Sequence, residues 1–366
     1  MQVGEREPAP APRNRWRPLA LAGVCVTAIA LVAAGSLRGE NILNIQFHTF
    51  QDSRGVTVLE PIVDLDKDFT ERSGLKVKFG VDAITGASDS CARCHPDGAN
   101  SQRTFVNVDY RRKIGDYKLD VGGQISRENF YAADTAMVSI SRDLNKGNTT
   151  IAGGYSFSLN QPQLHPTQSV ENQYAHDLFF SVTQTLTKNT ILQLAYDYNR
   201  ISGYQSSPFL RTRVNDIMVV GNTPDLRSRQ AVVVRLRQAL PGDTYLQADY
   251  RRYFDTWSLA SNTFSLGVEH YFKPSLLVGF TYRWYGQTGA DFYQSSYTGN
   301  PIYYTGDFRL QPFNSATYTG HVVYTPAHRL LDLLPDKTAI DLQYDRYQAS
   351  TQFASSMFTL GLRIPL

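Results

Sequence analysis

Cys91-Ala-Arg-Cys94-His95 is the segment of this 366-residue chain whose residue types and spacing most directly spell out a chemistry. Two thiols three positions apart can each form a thioether to a vinyl edge of one porphyrin. The imidazole that follows is then delivered to an axial face of the iron. The pattern is that of c-type haem attachment. It makes Cys91 and Cys94 the covalent anchors, His95 the metal ligand and haem c the cofactor. The chain has three cysteines in all, and Cys25 lies in an apolar leader, so the pentapeptide holds both thiols of the remainder. The same residues admit blander readings. An oxidised Cys91–Cys94 pair would staple an exposed loop, as exported proteins favour. Zinc wants four ligands, and only Cys91, Cys94 and His95 are local. A five-residue match can also arise by chance. A sixth iron ligand could come from His165, in Gln163-Leu-His-Pro166, or from His48, although such histidines are more often ordinary strand or surface residues. An iron left open on its distal side fits equally well.

Other reaction chemistries find no support. There is no G-x-S-x-G elbow, no H-E-x-x-H and no phosphate-cradling glycine loop, so the expectation is a protein that is not an enzyme. Net charge is +3, but residues 1–40 hold five Arg against three Glu, which leaves 31 basic against 30 acidic residues beyond them. No basic field exists to attract nucleic acid.

The chemistry needs a compartment, and the N-terminus supplies one. Arg13, Arg15 and Arg17 precede the apolar stretch Leu19–Ala34, which ends in Ala33-Ala34-Gly35-Ser36. Basic flank, apolar core and small-residue exit read as an export signal cleaved near Ala34, with an uncleaved anchor as the alternative, within a leader spanning residues 1–40. Val24 stands where a lipidation box before Cys25 needs a small residue. Past residue 40 no apolar run approaches the roughly 20 residues that a membrane helix needs.

Residues 41–366 read as one all-β unit. Leu246, Ala248 and Tyr250 alternate with Gln247, Asp249 and Arg251, and Ile340, Leu342 and Tyr344 alternate with Asp341, Gln343 and Asp345. In the last segment Phe358, Leu360, Leu362, Ile364 and Leu366 share one face, opposite Thr359, Gly361 and Arg363. Period two gives each strand one apolar and one polar side. With 22 Tyr and 19 Phe yet a slightly negative mean hydropathy, the composition suits a membrane barrel, where only every second residue is apolar.

Tight turns are expected at Gly115-Asp116, 145–148, 187–189, 241–243 and 272–275, and longer loops at 86–102, 160–171, 203–227 and 289–314. Short turns at one end and long loops at the other predict a transmembrane antiparallel β-barrel of about 16 strands in the outer membrane of a Gram-negative-type bacterium. A β-sandwich is the alternative, though it would not need the leader or this loop rhythm. Strands counted back from the C-terminus put the Cys91–His95 loop and His165 outside the cell, and Arg329–Asp336 in a periplasmic turn. Outer-membrane lipid is then one partner. With haem bound, an exported redox protein is another, and the role is electron transfer at or across the outer membrane.

Without haem, the barrel reads as a plain polar channel or transport barrel, or as a scaffold for a redox partner. Asp109, Arg111, Asp120, Asp197, Arg235, Arg237, Asp249, Arg251, Arg283, Asp341 and Asp345 all fall on polar faces. They could line a channel or fill the lumen as paired charges, and both signs are well represented. Tyr282 and Trp284 read as outward girdle residues.

Several segments carry a family resemblance. They are Ser126-Arg-Glu-Asn-Phe-Tyr-Ala-Ala-Asp134, Asp143-Leu-Asn-Lys-Gly-Asn-Thr-Thr150, Gly203-Tyr-Gln-Ser-Ser-Pro-Phe209, Tyr250-Arg-Arg-Tyr-Phe-Asp-Thr-Trp257 and Tyr282-Arg-Trp-Tyr-Gly-Gln-Thr-Gly-Ala-Asp-Phe-Tyr293. Across about residues 45–366 the chain resembles the bacterial domain-of-unknown-function family 3570. The resemblance implies an outer-membrane-type barrel with no established activity. The Cys91–His95 loop departs from the short polar loop usual there, and the resemblance gives those cysteines no role.

Overall fold

The structure is a computed structural model that describes residues 41–85, 101–129, 131–165, 168–207, 210–326 and 334–366. Sixteen antiparallel strands form one closed sheet. In chain order they are β1 Ile42–Asp52, β2 Thr57–Thr70, β3 Ser73–Thr85, β4 Ser101–Ile114, β5 Tyr117–Glu128, β6 Tyr131–Leu144, β7 Thr149–His165 and β8 Gln173–Thr187. The second half holds β9 Thr190–Gly203, β10 Leu226–Leu240, β11 Thr244–Asp255, β12 Ala260–Lys273, β13 Leu276–Gln287, β14 Phe313–Tyr324, β15 Ala339–Ala349 and β16 Ala354–Pro365. Each strand pairs with its sequence neighbour, and β1 closes the cylinder by pairing β16 from Ile42↔Pro365 to Asp52↔Ser355. Closure leaves no strand edge, which a sheet in lipid requires.

The strands run from 11 to 17 residues, long enough for a tilted strand to cross the hydrocarbon core. Alternation sets their two faces. Val108, Val121, Val138, Leu178, Val232, Leu266 and Phe280 all point outward and are left exposed. In water such a coat would be an aggregation hazard, whereas in lipid it is the solvent-matched surface. Tyr282 and Trp284 stand on that outer face, as expected of girdle residues, with Tyr282 packed beside Tyr318 at a ring separation of 5.4 Å. The barrel therefore spans the outer membrane.

The turns at one end are short. Gly115 adopts φ +60° in the β4–β5 turn, and Asn145, Lys146 and Gly147 adopt +51°, +57° and +87° between β6 and β7. These left-handed conformations favour Gly and Asn, which explains the turn chemistry legible in the sequence. Residues 325–338 connect β14 and β15 at this same end, and the expected Arg329–Asp336 turn falls mostly outside the described residues. The opposite end carries the long connections 86–100, 166–172, 204–225 and 288–312, alternating with short ones at 53–56, 129–130, 256–259 and 350–353. The asymmetry assigns the short-turn end to the periplasm and the long loops to the exterior.

Two boundaries differ from expectation. The 160–171 loop is shorter than its polar composition suggests, because β7 continues to His165, which pairs with Gln168 in a small side ribbon. The 203–227 stretch is not plain loop either. It contains a ribbon, Arg211–Val214 paired with Ile217–Val220.

Candidate functional site

Inside the cylinder the polar faces converge. Residues paired across neighbouring strands share a face, and every charged residue expected to face inward does so. Much of the lumen charge is neutralised in place. Arg111 bridges Asp66 and Asp68 at 2.6 and 2.5 Å, Arg103 holds Asp82 at 2.5 Å, and Lys76 holds Asp64 at 3.2 Å. On the far wall Arg237 takes Asp249 in a two-armed contact of 2.5 and 3.2 Å. Bulk also enters the lumen. Phe105 lies so close over Gly80 that a Cβ there would sit 2.3 Å from the ring.

Four arginines on β10, β11 and β13 are among the exceptions. Arg229, Arg235, Arg251 and Arg283 point inward, and among the described residues none of them forms an ion pair. Arg235 donates to Gln193 Oε1 at 2.7 Å. The guanidinium groups of Arg251 and Arg283 lie over the rings of Tyr253 and Tyr285, at 5.3 and 5.6 Å.

The outer end of this wall is capped by two loops. Between β9 and β10, the ribbon 211–220 turns through Asn215 and Asp216, at φ +48° and +65°. Two consecutive positive φ values make the two-residue turn that matches strand twist, and Asn and Asp tolerate it. Asn215 then ties the ribbon to the loop between β13 and β14. Its Nδ2 donates to the Gly299 carbonyl at 2.8 Å, and its Oδ1 accepts from the Gly299 N–H at 2.8 Å. Further along, Asn222 and Tyr304 exchange backbone hydrogen bonds. Tyr297 is buried inside the second loop, where its hydroxyl accepts from the N–H groups of Gln294 and Thr305.

Beneath the cap lies a cavity of about 340 Å³. Its walls come from both loops (Gln205, Thr305, Arg309) and from inward positions of the barrel (Arg229, Arg251, Tyr285). A buried cluster of Trp257, Leu259, Ala290 and Leu310, at the outer strand ends and in the cap, forms its apolar side. Asp255 organises that cluster. Its Oδ1 accepts from the N–H groups of Trp257 and Leu259, at 2.8 and 3.1 Å. Its Oδ2 accepts from Arg227 Nε and Nη2 and from the Tyr253 hydroxyl, at 2.9, 2.5 and 2.6 Å. The Arg227 guanidinium also stacks 4.1 Å over Trp257, whose Nε1 donates to the Leu226 carbonyl. In the cap, Arg309 is gripped by Asp307 at 2.8 and 2.7 Å, and these hydrogen bonds raise its pKa further, against the opposing effect of burial.

Cys91, Cys94 and His95 lie outside the described residues. The strands that flank them, β3 and β4, end at the long-loop end, as does β7 with His165. His48 stands elsewhere. It faces the lumen from β1, and its Nδ1 pairs with Thr359 Oγ1 at 3.0 Å. Among the described residues no group of three or more His, Cys, Asp or Glu is arranged to hold a metal ion. Sequence reasoning missed Arg227, Arg229, Asp255 and Trp257. Their alternation was visible, but their convergence depends on the cap. One signal for the cap was present, since Val214-Asn-Asp-Ile217 places a hairpin turn pair between β-branched residues.

Residues 161–355, more than half of the chain, match the family described as "Protein of unknown function (DUF3570)". The chain belongs to that family. No curated protein matches the DUF3570 chain. Among solved structures, CdiB from Acinetobacter baumannii aligns with a TM-score of 0.53 at 9% identity, over 89% of this chain and 60% of that one. The outer membrane protein OpdK from Pseudomonas aeruginosa aligns at 0.48 and 9%, over 91% and 100%. The siderophore receptor PirA from the same organism aligns at 0.44 and 12%, over 86% and 57%. At such identities the likeness to CdiB speaks to the fold alone. Three of the five resemblance segments of the DUF3570 barrel, around Gly203–Phe209, Tyr250–Trp257 and Tyr282–Tyr293, contribute residues to the mouth cavity or to the cluster beside it.

Proposed function

We propose that the protein is a non-enzymatic channel that passes small polar solutes across the outer membrane. The observation that carries this reading is the lumen, where inward positions of the strands present charged and hydroxyl side chains while the outward positions are apolar. Such an interior stabilises hydrated solute along its whole length. The cap over β10–β13 restricts what enters, because a solute on that side must pass between loop residues and the arginine wall. Swelling of proteoliposomes in solutions of glycerol, ribose and a disaccharide tests the reading. Swelling that falls with solute size supports it, and no swelling above empty liposomes contradicts it.

A second reading is favoured by one observation of its own, the pentapeptide. Cys91 and Cys94 would carry haem c with His95 as an axial ligand and His165 as a distal candidate. The barrel would then hold one electron carrier for an exported redox protein. The alternative for the same thiols is a disulfide. A haem-stained gel and an intact mass, taken on protein from a strain competent in cytochrome c maturation, separate the two.

A further inference from the structure

We propose that Arg229 and Arg251, with Arg309 above them, form a recognition site for the carboxylate of a small organic acid in the mouth cavity. The proposal rests on the channel reading and deepens it by naming the solute class.

Arg229 is the centre of the argument. Its register partners are Asn199 on one side and Asp255 on the other. Asp255 would be the obvious counter-ion, but both of its oxygens are already taken by the five donors described above. Asn199 donates its amide nitrogen to Asp177 Oδ1 at 2.6 Å, and its own Oδ1, likewise buried, makes no hydrogen bond to Arg229. The Nε–H of Arg229 is thus buried without an acceptor. A guanidinium that lines a cavity without a counter-ion is costly to keep, so its charge is left to be met by an anion arriving from the cavity side.

Arg251 adds a second guanidinium that rests on a tyrosine ring and meets no carboxylate. Asp307, the one acid lining the cavity among the described residues, already holds Arg309 through both oxygens. The cavity therefore carries an excess of positive charge fixed in planar forks. A guanidinium fork matches a carboxylate with two parallel hydrogen bonds, a geometry that a spherical anion does not exploit. Trp257, Leu259 and Leu310 give the cavity an apolar side, which suits the hydrocarbon body of an organic acid. Below the cavity the same wall continues through Arg283 and Arg235, which share one register row across β10–β13. That row offers the next positive station on the way down.

Titration calorimetry on the full-length barrel in detergent tests the site, with benzoate, benzamide and inorganic phosphate as probes. Benzoate should bind, and benzamide, which keeps the ring and loses the charge, should not. Arg229→Gln and Arg251→Gln should each weaken benzoate by about tenfold or more. Arg251→Lys, which keeps the charge and removes the fork, should weaken it as well, and Arg363→Gln at the opposite end should leave it unchanged. A shift in migration between unheated and heated samples on gels shows that each variant is folded. Equal binding of benzamide, binding of phosphate alone, or benzoate binding untouched by the Arg229 and Arg251 substitutions would overturn the site. A barrel that swells liposomes yet binds no benzoate defeats this site and leaves the channel reading standing. One that binds benzoate yet passes no solute defeats the channel reading instead.

Discussion

Arg227 grips Asp255 with two hydrogen bonds, from Nε at 2.9 Å and Nη2 at 2.5 Å, and the Asp255 side chain has no exposed surface. This pair joins the top of β10 to the top of β11 and presents Trp257 to the cap. Removing one member of a buried ion pair leaves the other charge uncompensated, at a cost of about 3–5 kcal/mol. Asp255→Ala should therefore destabilise the barrel by that order in urea titrations, while Asp243→Ala, in a short turn at the other end, should cost far less.

The cap should be separable from the barrel. Asn215→Ala removes the two hydrogen bonds to Gly299 and leaves every barrel strand intact. Two exposed hydrogen bonds are worth about 1–2 kcal/mol together. Limited proteolysis should accordingly cut the 204–225 loop faster in the variant, with the heat-modifiable band of the folded barrel preserved. An unchanged cleavage rate would mean that the two loops hold together without Asn215.

Inside and outside are one residue apart. Leu266 faces lipid at mid-strand and its neighbour Ser265 faces the lumen. Arginine on a lipid face at the bilayer midplane costs about 2–4 kcal/mol. Leu266→Arg should show that loss in vesicle folding titrations, and Ser265→Arg should show little of it. Equal losses at both positions would contradict the assignment of faces.

How far the sequence revealed these features depends on the range of the interactions. Alternation at Leu246, Ala248 and Tyr250 made β11 and its outward face visible, because a period-two pattern is local. Gly115-Asp116 and 145–148 showed the short end for the same reason: turn geometry selects its own residues. Of the cap only the turn pair Asn215-Asp216 was visible, since its ribbon is only four residues a side and its partner, around Gly299, lies about 80 positions away in the chain. Likewise, alternation placed Arg251 inward but said nothing of which carboxylates were already engaged. The lack of an ion pair at Arg229 follows from the five donors that meet on Asp255. The Cys91–His95 motif was the clearest chemical signal in the sequence, and it lies outside the described residues.

That motif carries its own prediction. Wild-type protein matured alongside c-type cytochromes should stain for haem in a denaturing gel, and Cys91→Ser with Cys94→Ser should not stain. An unstained wild type whose thiols react with iodoacetamide only after reduction would establish the disulfide instead.

Planar-bilayer recording on the purified barrel addresses the central claim, that the charged lumen conducts, most directly. Wild-type protein should give reproducible conductance steps, and deletion of the 211–220 ribbon should enlarge them by opening the mouth over β10–β13. A barrel that inserts and remains silent, with and without the ribbon, would contradict the account.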